Sequence, residues 1–442
     1  MERRQFLALL AGLGMSAHAR TSLGSGTVEP ESWLFEQSQK IGFSIVQGMT
    51  DEVSAQFSLV LPKRVSWGIE VLDEQGRHPR DLQQNLTIVE RPHSDQAVYK
   101  LELRGLELGR EYRLRVNDDQ GILRDERDFR ALDLSSRSVR LAFASCANDS
   151  LHRDDIWHRF EQCDPDMVFF LGDNVYADNT SLITRSPADE EQLWLRYVET
   201  RNRIAFYFQR RLKPVLAIWD DHDFGFDNRG RQFQYKEASK FVFDTFWAQS
   251  ERASLVHGPG IAKRFSAFGA DFFLMDGRSF RDSAGFSGRR MFGSAQEEWL
   301  FQNVHPRASF LLNGSVFYGA YTGKDSFEGQ FGRDFSDFIA KLANTDGLFC
   351  FGAGDVHFSE VMDIEPAQLG YRTFEMVSSS IHSFSIPGHE WRFGRNPRRR
   401  QSNSRHNFTV FEGEFGEDRI QGNIASYSAD GEEFRVGIDV RR

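Results

Sequence analysis

The chain has 442 residues, too many for one ordinary core, so two domains are expected. Hydrophobic residues at 40% and charged residues at 27% give no sign of disorder. A formal charge of -10 argues against an extended nucleic-acid surface, while leaving room for a small anionic substrate held through metal. Phe is abundant, at 41 residues, and aromatic core and sheet packing is the reading that fits.

The first residues read as a targeting segment. Met1-Glu2-Arg3-Arg4-Gln5-Phe6-Leu7 is a charged start, residues 8–15 are apolar but too short to span a bilayer, and Ala17-His18-Ala19 fits a small-x-small cleavage site. The Arg-Arg-x-Phe-Leu core resembles a twin-arginine export signal, so a signal peptide over 1–19 is expected. The alternative is an ordinary amphipathic helix. Export of an already folded protein by the twin-arginine machinery suits a chain that loads metal first, and puts the product in the periplasm or outside the cell. No later segment reaches transmembrane length, so no membrane span is expected in the mature chain.

Residues 43–132 contain about seven short alternating runs, among them 53–61, 65–72, 86–89, 97–103 and 112–116. That spacing predicts an all-β sandwich, with 28–135 as the N-terminal domain. Leu106 and Tyr112 bracket a tight turn in a way that resembles the fibronectin type III pattern. There is no ligand cluster here, so a packing or recognition module is expected.

From residue 138 the grammar changes. Apolar strands end abruptly in polar or charged residues: 140–144 in Ser145-Cys146-Ala147-Asn148, 166–171 in Gly172-Asp173-Asn174-Val175-Tyr176, 214–218 in Trp219-Asp220-Asp221-His222-Asp223, and 348–351 in Gly352-Ala353-Gly354-Asp355-Val356-His357. A further strand at 270–275 runs into Asp276-Gly277-Arg278. Helical stretches follow residue 178, run from about 237 to 250, and begin near Ser294, where Glu297 three residues on predicts a capping box. Alternation of strand and helix predicts an α/β domain over 138–442. Its tail, from 407, returns to strands with a hairpin turn at 429–432. Arg398, Arg399 and Arg400 belong to a basic loop, read as solvated surface or as a basic rim attracting a phosphorylated substrate.

In α/β sheets, ligands bind where the carboxyl ends of strands converge. Asp173, Asp221 and Asp355 are hard oxygen donors, Tyr176 a phenol, Cys146 a thiol, and His222 and His357 imidazoles. Carboxylates alone would suit calcium or magnesium, whereas phenolate, thiolate and imidazole together suggest a transition metal, with Fe(III) favoured by the phenolate. Singly, each residue has a plainer reading: Asp173 and Asp355 as turn caps after glycine, Tyr176 as a core aromatic, His357 as a satisfied histidine. Cys163 and Cys350 read as structural, and three cysteines make no disulfide framework.

These segments resemble the PhoD-like (alkaline phosphatase D) metallophosphatases, through Ala144-Ser145-Cys146, Gly172-Asp173-x-x-Tyr176, Trp219-Asp220-Asp221-His222-Asp223, Asp276-x-Arg278-x-x-Arg281-Asp282, Gly354-Asp355-Val356-His357 and Glu375-Met376-Val377-Ser378-Ser379-Ser380. The family is related to the calcineurin-like phosphoesterases. The resemblance implies a four-layer αββα metallophosphatase domain behind a fibronectin III-like sandwich. It implies that Cys146, Tyr176 and His357 hold Fe(III), that Asp173 and Asp355 bridge it to Ca2+, and that Asp221 completes the calcium side. His222 would be the general acid or phosphate-orienting group, Asp223 would fix its tautomer, and Arg278 would clamp phosphate. The sequence departs from relatives at Leu311-Leu312-Asn313-Gly314-Ser315, where many carry Ser-Gly-x-Gln.

The expectation is an exported metal-dependent phosphoesterase acting on phosphate monoesters or diesters with a metal-activated hydroxide. One rival is a cysteine hydrolase using Cys146 with His222 or His357, which leaves Asp173, Tyr176, Asp221 and Asp355 idle. Another is a non-catalytic, calcium-stabilised surface-binding protein.

Overall fold

The computed structural model describes residues 43–179, 186–283, 288–319, 326–392 and 396–442. The expected signal peptide, 1–19, and Arg395 of the basic loop lie outside these residues.

Seven strands lie between residues 44 and 130, as the spacing of the alternating runs predicts. Ser44–Thr50, Ser54–Pro62, Gln96–Arg104 and Gln83–Val89 form an antiparallel sheet of four, in that order. Gly68–Asp73, Glu111–Asn117 and Leu123–Arg130 form a sheet of three. Phe57, Leu101, Tyr112, Leu114 and Phe129 fill the space between the two. The Tyr112 hydroxyl accepts the Glu107 amide at 2.8 Å, which closes the expected tight turn, and its ring stacks on Phe129.

The α/β part has two sheets face to face with helices outside them. One runs Val215–Ile218, Met167–Leu171, Ser138–Ala144, Phe408–Phe415, Arg419–Ser428, Gly431–Arg441. The other has eight strands, with Ala270–Leu274, Ala308–Asn313, Leu348–Ala353 and Thr373–Val377 side by side and parallel at its centre. Strands covered on both faces must be apolar throughout, and Met167–Leu171 and Leu348–Ala353 are buried at every position. Phenylalanines make the contact between the sheets. Phe169 stacks on Phe272 at 5.0 Å and Phe143 on Phe310 at 6.0 Å across the gap, while Phe272 and Phe310, neighbours within the second sheet, stack at 5.7 Å. The high Phe content is thus used largely for inter-sheet packing.

Two features lie beyond local sequence. Phe408–Phe415 pairs antiparallel with the sequence-distant Ser138–Ala144, Thr409 opposite Phe143, so the tail completes the first sheet. The hydrophobic core of the α/β part also takes in Val46, Met49, Val60 and Val98 of the sandwich. Arg201, 2% exposed, clamps this junction by donating to the carbonyls of Ser44 (3.2 Å), Ser58 (2.7 Å) and Phe246 (3.1 Å).

Some expectations need correction. The helix expected to start at Ser294 spans Gly293–Gln302 with Phe292 at its N-cap and no side-chain cap bond, so Ser294 lies inside its first turn. Within the basic loop Arg400 is exposed, whereas Arg398 and Arg399 are engaged by the fold. Arg398 pairs with Glu328 and Glu365, and Arg399 with the buried Glu360, so these guanidiniums tie the second sheet to its neighbours.

Candidate metal centre

Ser138–Ala144, Met167–Leu171 and Val215–Ile218 are parallel, so the loops that follow them leave at one end of their sheet. Backbone hydrogen bonds then lace these loops together. Cys146 N–H donates to Gly172 O at 3.1 Å and Ala147 N–H to Asp173 O at 2.8 Å. Ile381 and His382, which follow a strand of the second sheet, donate to Ser145 O and Cys146 O. Close approach explains the glycine before each aspartate. A Cβ on Gly172 would lie 2.7 Å from Asp220 Cβ, and one on Gly354 would lie 2.4 Å from Leu171 O.

Cys146, Asp173 and His357 bring one donor atom each within 4.8 Å of one another, and so do Asp173, Asp221 and His222. Asp173 belongs to both groups. Tyr176 joins them, its hydroxyl 3.4 Å from His357 Nε2 and donating to Ser383 Oγ at 2.9 Å. Its ring stacks on His222 at 4.2 Å. Asp355 stands beside the cluster: its backbone carbonyl accepts from Cys146 Sγ at 3.6 Å, and its carboxylate belongs to neither group. Of seven non-glycine residues with positive φ among the described residues, four are Cys146, Asp173, Asp355 and His357. A conformation costing roughly 1–3 kcal/mol at each position is retained where the surroundings over-determine it, as at ligand clamps.

The electrostatics suit a cation. Burial, then Asp221 and Cys146, push the Asp173 carboxyl well above the usual range. Burial pushes the Cys146 thiol up to about 12 and the Tyr176 phenol well above its ordinary value, and lowers His357 to about 4. At Asp221 burial acts upward, but Arg278 and His222 outweigh it and hold the carboxyl below the usual range. A thiol, a phenol and facing carboxyls, each penalised for ionising in low dielectric, are favoured in their charged forms by a metal ion. The donor set therefore fits one.

The expected partner of His222 was Asp223, and here the structure differs. His222 Nδ1 lies 2.7 Å from Asp178 Oδ1, in a fully buried carboxylate. Asp223 turns the other way and accepts the backbone N–H groups of Asn174 (2.9 Å), Val175 (3.1 Å) and Asp220 (3.0 Å). It holds two loops together. Asp178 was visible in sequence only as a charge three residues into a buried turn after the Asp173 loop. Arg278 is 1% exposed, bonded to Asp220 through Nε and 3.2 Å from Ser315 Oγ through Nη2. Its Nη1 is buried and has no hydrogen-bond partner among the described residues. Arg281 donates to the same Ser315 hydroxyl at 2.9 Å. Ser315 thus sits within the departing stretch 311–315, and its role was not legible in sequence. Nor was that of the serine run: Ser379 Oγ donates to Cys146 Sγ at 3.2 Å and accepts from His357 N at 2.9 Å.

Two facing sheets between helices, with potential donor side chains gathered on loops at one end, are the four-layer αββα arrangement that the sequence resemblance implies. Residues 141–310 match the sequence model of the PhoD-like phosphatase family. A solved structure described as "Structure of PhoD" superposes with a TM-score of 0.70, at 17% sequence identity, over 90% of this chain and 92% of that chain. At that identity the likeness shows the shared fold. No curated protein matches the sequence. The family match supports a phosphoric ester hydrolase by class.

Proposed function

We propose that this protein is an exported phosphoesterase that hydrolyses phosphate monoesters or diesters at a centre of Fe(III) and Ca2+. The observation that carries the proposal is the place of Asp173 in both donor groups, with the Cys146 thiol and His357 imidazole on one side and the Asp221 carboxylate and His222 imidazole on the other. Cys146, Tyr176 and His357 would hold the iron, Asp173 would bridge, and Asp221 would face the calcium, since thiolate and phenolate suit a transition metal and carboxylate a hard cation. Asp355 enters the set through the family motif. Metal ions bound there polarise phosphoryl oxygens and lower the pKa of a water molecule.

The chain's own groups supply the rest. Asp178 holds the Nδ1 proton of His222 and stabilises its imidazolium, so that Nε2–H can be given to the departing alkoxide oxygen. Arg278 is locked by Asp220 and offers Nη1 to a phosphoryl oxygen without a change of rotamer. The charged start, apolar stretch and small-x-small site of residues 1–19 support export by the twin-arginine route.

The cysteine-hydrolase reading fits less well. A nucleophilic cysteine needs an exposed, low-pKa thiol, whereas Cys146 is fully buried and pushed up to about 12. Elemental analysis of the natively exported protein, with assays on aryl mono- and diesters before and after chelation, tests the proposal. Near-stoichiometric iron and calcium, with activity lost on chelation, is the expected result. A metal-free protein that remains active would overturn it, and a metal-loaded protein without activity would favour a surface-binding role.

A further inference from the structure

The segment after Ser380 is fastened to the metal centre on both sides of one residue. Ser383 Oγ accepts the Tyr176 hydroxyl at 2.9 Å. The Phe384 backbone is hydrogen-bonded to the His357 ring, and Ser385 Oγ donates to His357 O at 3.1 Å. Phe384 is therefore held in place by two residues of the donor set. Its side chain is nonetheless 47% exposed, and no ring among the described residues stacks on it. Trp391, 62% exposed, lies on the one-turn helix His389–Arg392 of the same segment, with the Arg399 guanidinium 5.2 Å from its ring centre. A half-exposed ring fixed by its backbone beside the donor set is available to a ring of a bound molecule.

The charges of the neighbouring strand are engaged: Arg398 pairs with Glu328 and Glu365, Arg399 with Glu360, and Arg400 lies 3.6 Å from Asp363. Phe384 thus stands, by its backbone, next to His357 and Tyr176 of the donor set, with its side chain half-exposed.

We propose that Phe384 determines specificity, by stacking on a planar aromatic or heteroaromatic ring in the alcohol portion of the substrate, so that ring-bearing phosphate esters are preferred over sugar or aliphatic ones. This rests on the phosphoesterase reading above. A stacked ring is worth a factor of about 10 or more in binding, and because the ring is remote from the bond that breaks, the preference falls in kcat/KM with little change in intrinsic reactivity.

The test compares esters matched at the reacting bond: adenosine 5′-phosphate against ribose 5-phosphate, and 3-phenylpropyl phosphate against propyl phosphate, each also as its methyl diester. The wild-type, metal-loaded protein is expected to favour the ring-bearing member by about 10-fold. Phe384→Ala and the bulk-conserving Phe384→Leu should bring the ratio below about 3, and Phe384→Trp should preserve it. Preference in the adenosine pair alone identifies a heteroaromatic ligand, and preference in both pairs any flat ring. A wild-type ratio near one, or a ratio unchanged in both Phe384→Ala and Phe384→Leu, overturns the assignment. Hydrolysis of none of the esters overturns the phosphoesterase reading itself, and the assignment with it.

Discussion

Two sets of buried carboxylates in the α/β part do different things. Asp223, Asp276 and Glu375 are each enclosed by donors: Asp276 accepts from Trp219 Nε1 and from the amides of Ile261, Arg278 and Ser279, and Glu375 accepts Phe317 N–H and Tyr318 N–H at 2.7 Å each. They are cross-links that satisfy loop backbone groups. Asp173 and Asp221 instead face each other and a thiol, with one amide apiece, from His222 and Asn228. Burial is the same in both sets. What separates a ligand from a cross-link is whether backbone N–H groups already fill its oxygens.

The largest expected effect breaks the ligand set. Asp173→Asn removes the donor common to both groups, and we expect kcat/KM to fall by about 1000-fold or more, roughly 4 kcal/mol, together with loss of bound metal by elemental analysis and an unchanged circular dichroism spectrum. Asp223→Asn should do the reverse. An NH2 placed against an amide N–H costs about 3 kcal/mol of stability in urea unfolding, with metal content retained. If Asp223→Asn loses metal at unchanged stability, the division between the two sets fails.

The His222 partner comes next. Asp178→Asn is expected to lower kcat by about 30-fold, near 2 kcal/mol, and to do almost nothing further in a His222→Gln background, because the two act as a unit. Additive losses would assign Asp178 a separate role.

The smallest effect extends the same accounting to a buried imidazole. His382 is fully buried, its Nδ1 3.0 Å from Asn148 O, and burial holds it at about 3 against an ordinary 6.5. The unfolded chain binds this proton first, so the contribution is whole above pH 6.5 and is lost as pH falls toward 3. Between pH 6.5 and 5 the loss is about 1.5 kcal/mol. His382→Gln should flatten unfolding free energy over that window, and an equally steep profile in the variant would locate the acid sensitivity elsewhere.

Much of this was legible in the chain because it is local. An apolar run of four to six residues that stops at Gly-Asp or Trp-Asp-Asp-His specifies both a buried strand and a polar turn, and period-2 alternation between 44 and 130 specifies strands with one face inward. Cys146, Asp173, Tyr176, Asp221 and His357 could be picked out on that ground. Asp223 was misread because proximity in sequence to His222 says nothing of direction: in the single helical turn Asp221–Phe224, adjacent side chains point about 100° apart.

Residue type and spacing alone therefore determined that the chain has a β-sandwich followed by an α/β domain, and that its strands deliver thiol, phenol, imidazole and carboxylate at their carboxyl ends. Only the tertiary structure decided which of these meet. Pairing of Phe408–Phe415 with Ser138–Ala144, the lacing of Cys146 to Gly172 and Asp173, and the turn of Asp178 toward His222 join residues tens to hundreds of positions apart. Such contacts are selected by the packing of two whole sheets and the satisfaction of their buried polar groups, and no local pattern encodes that choice.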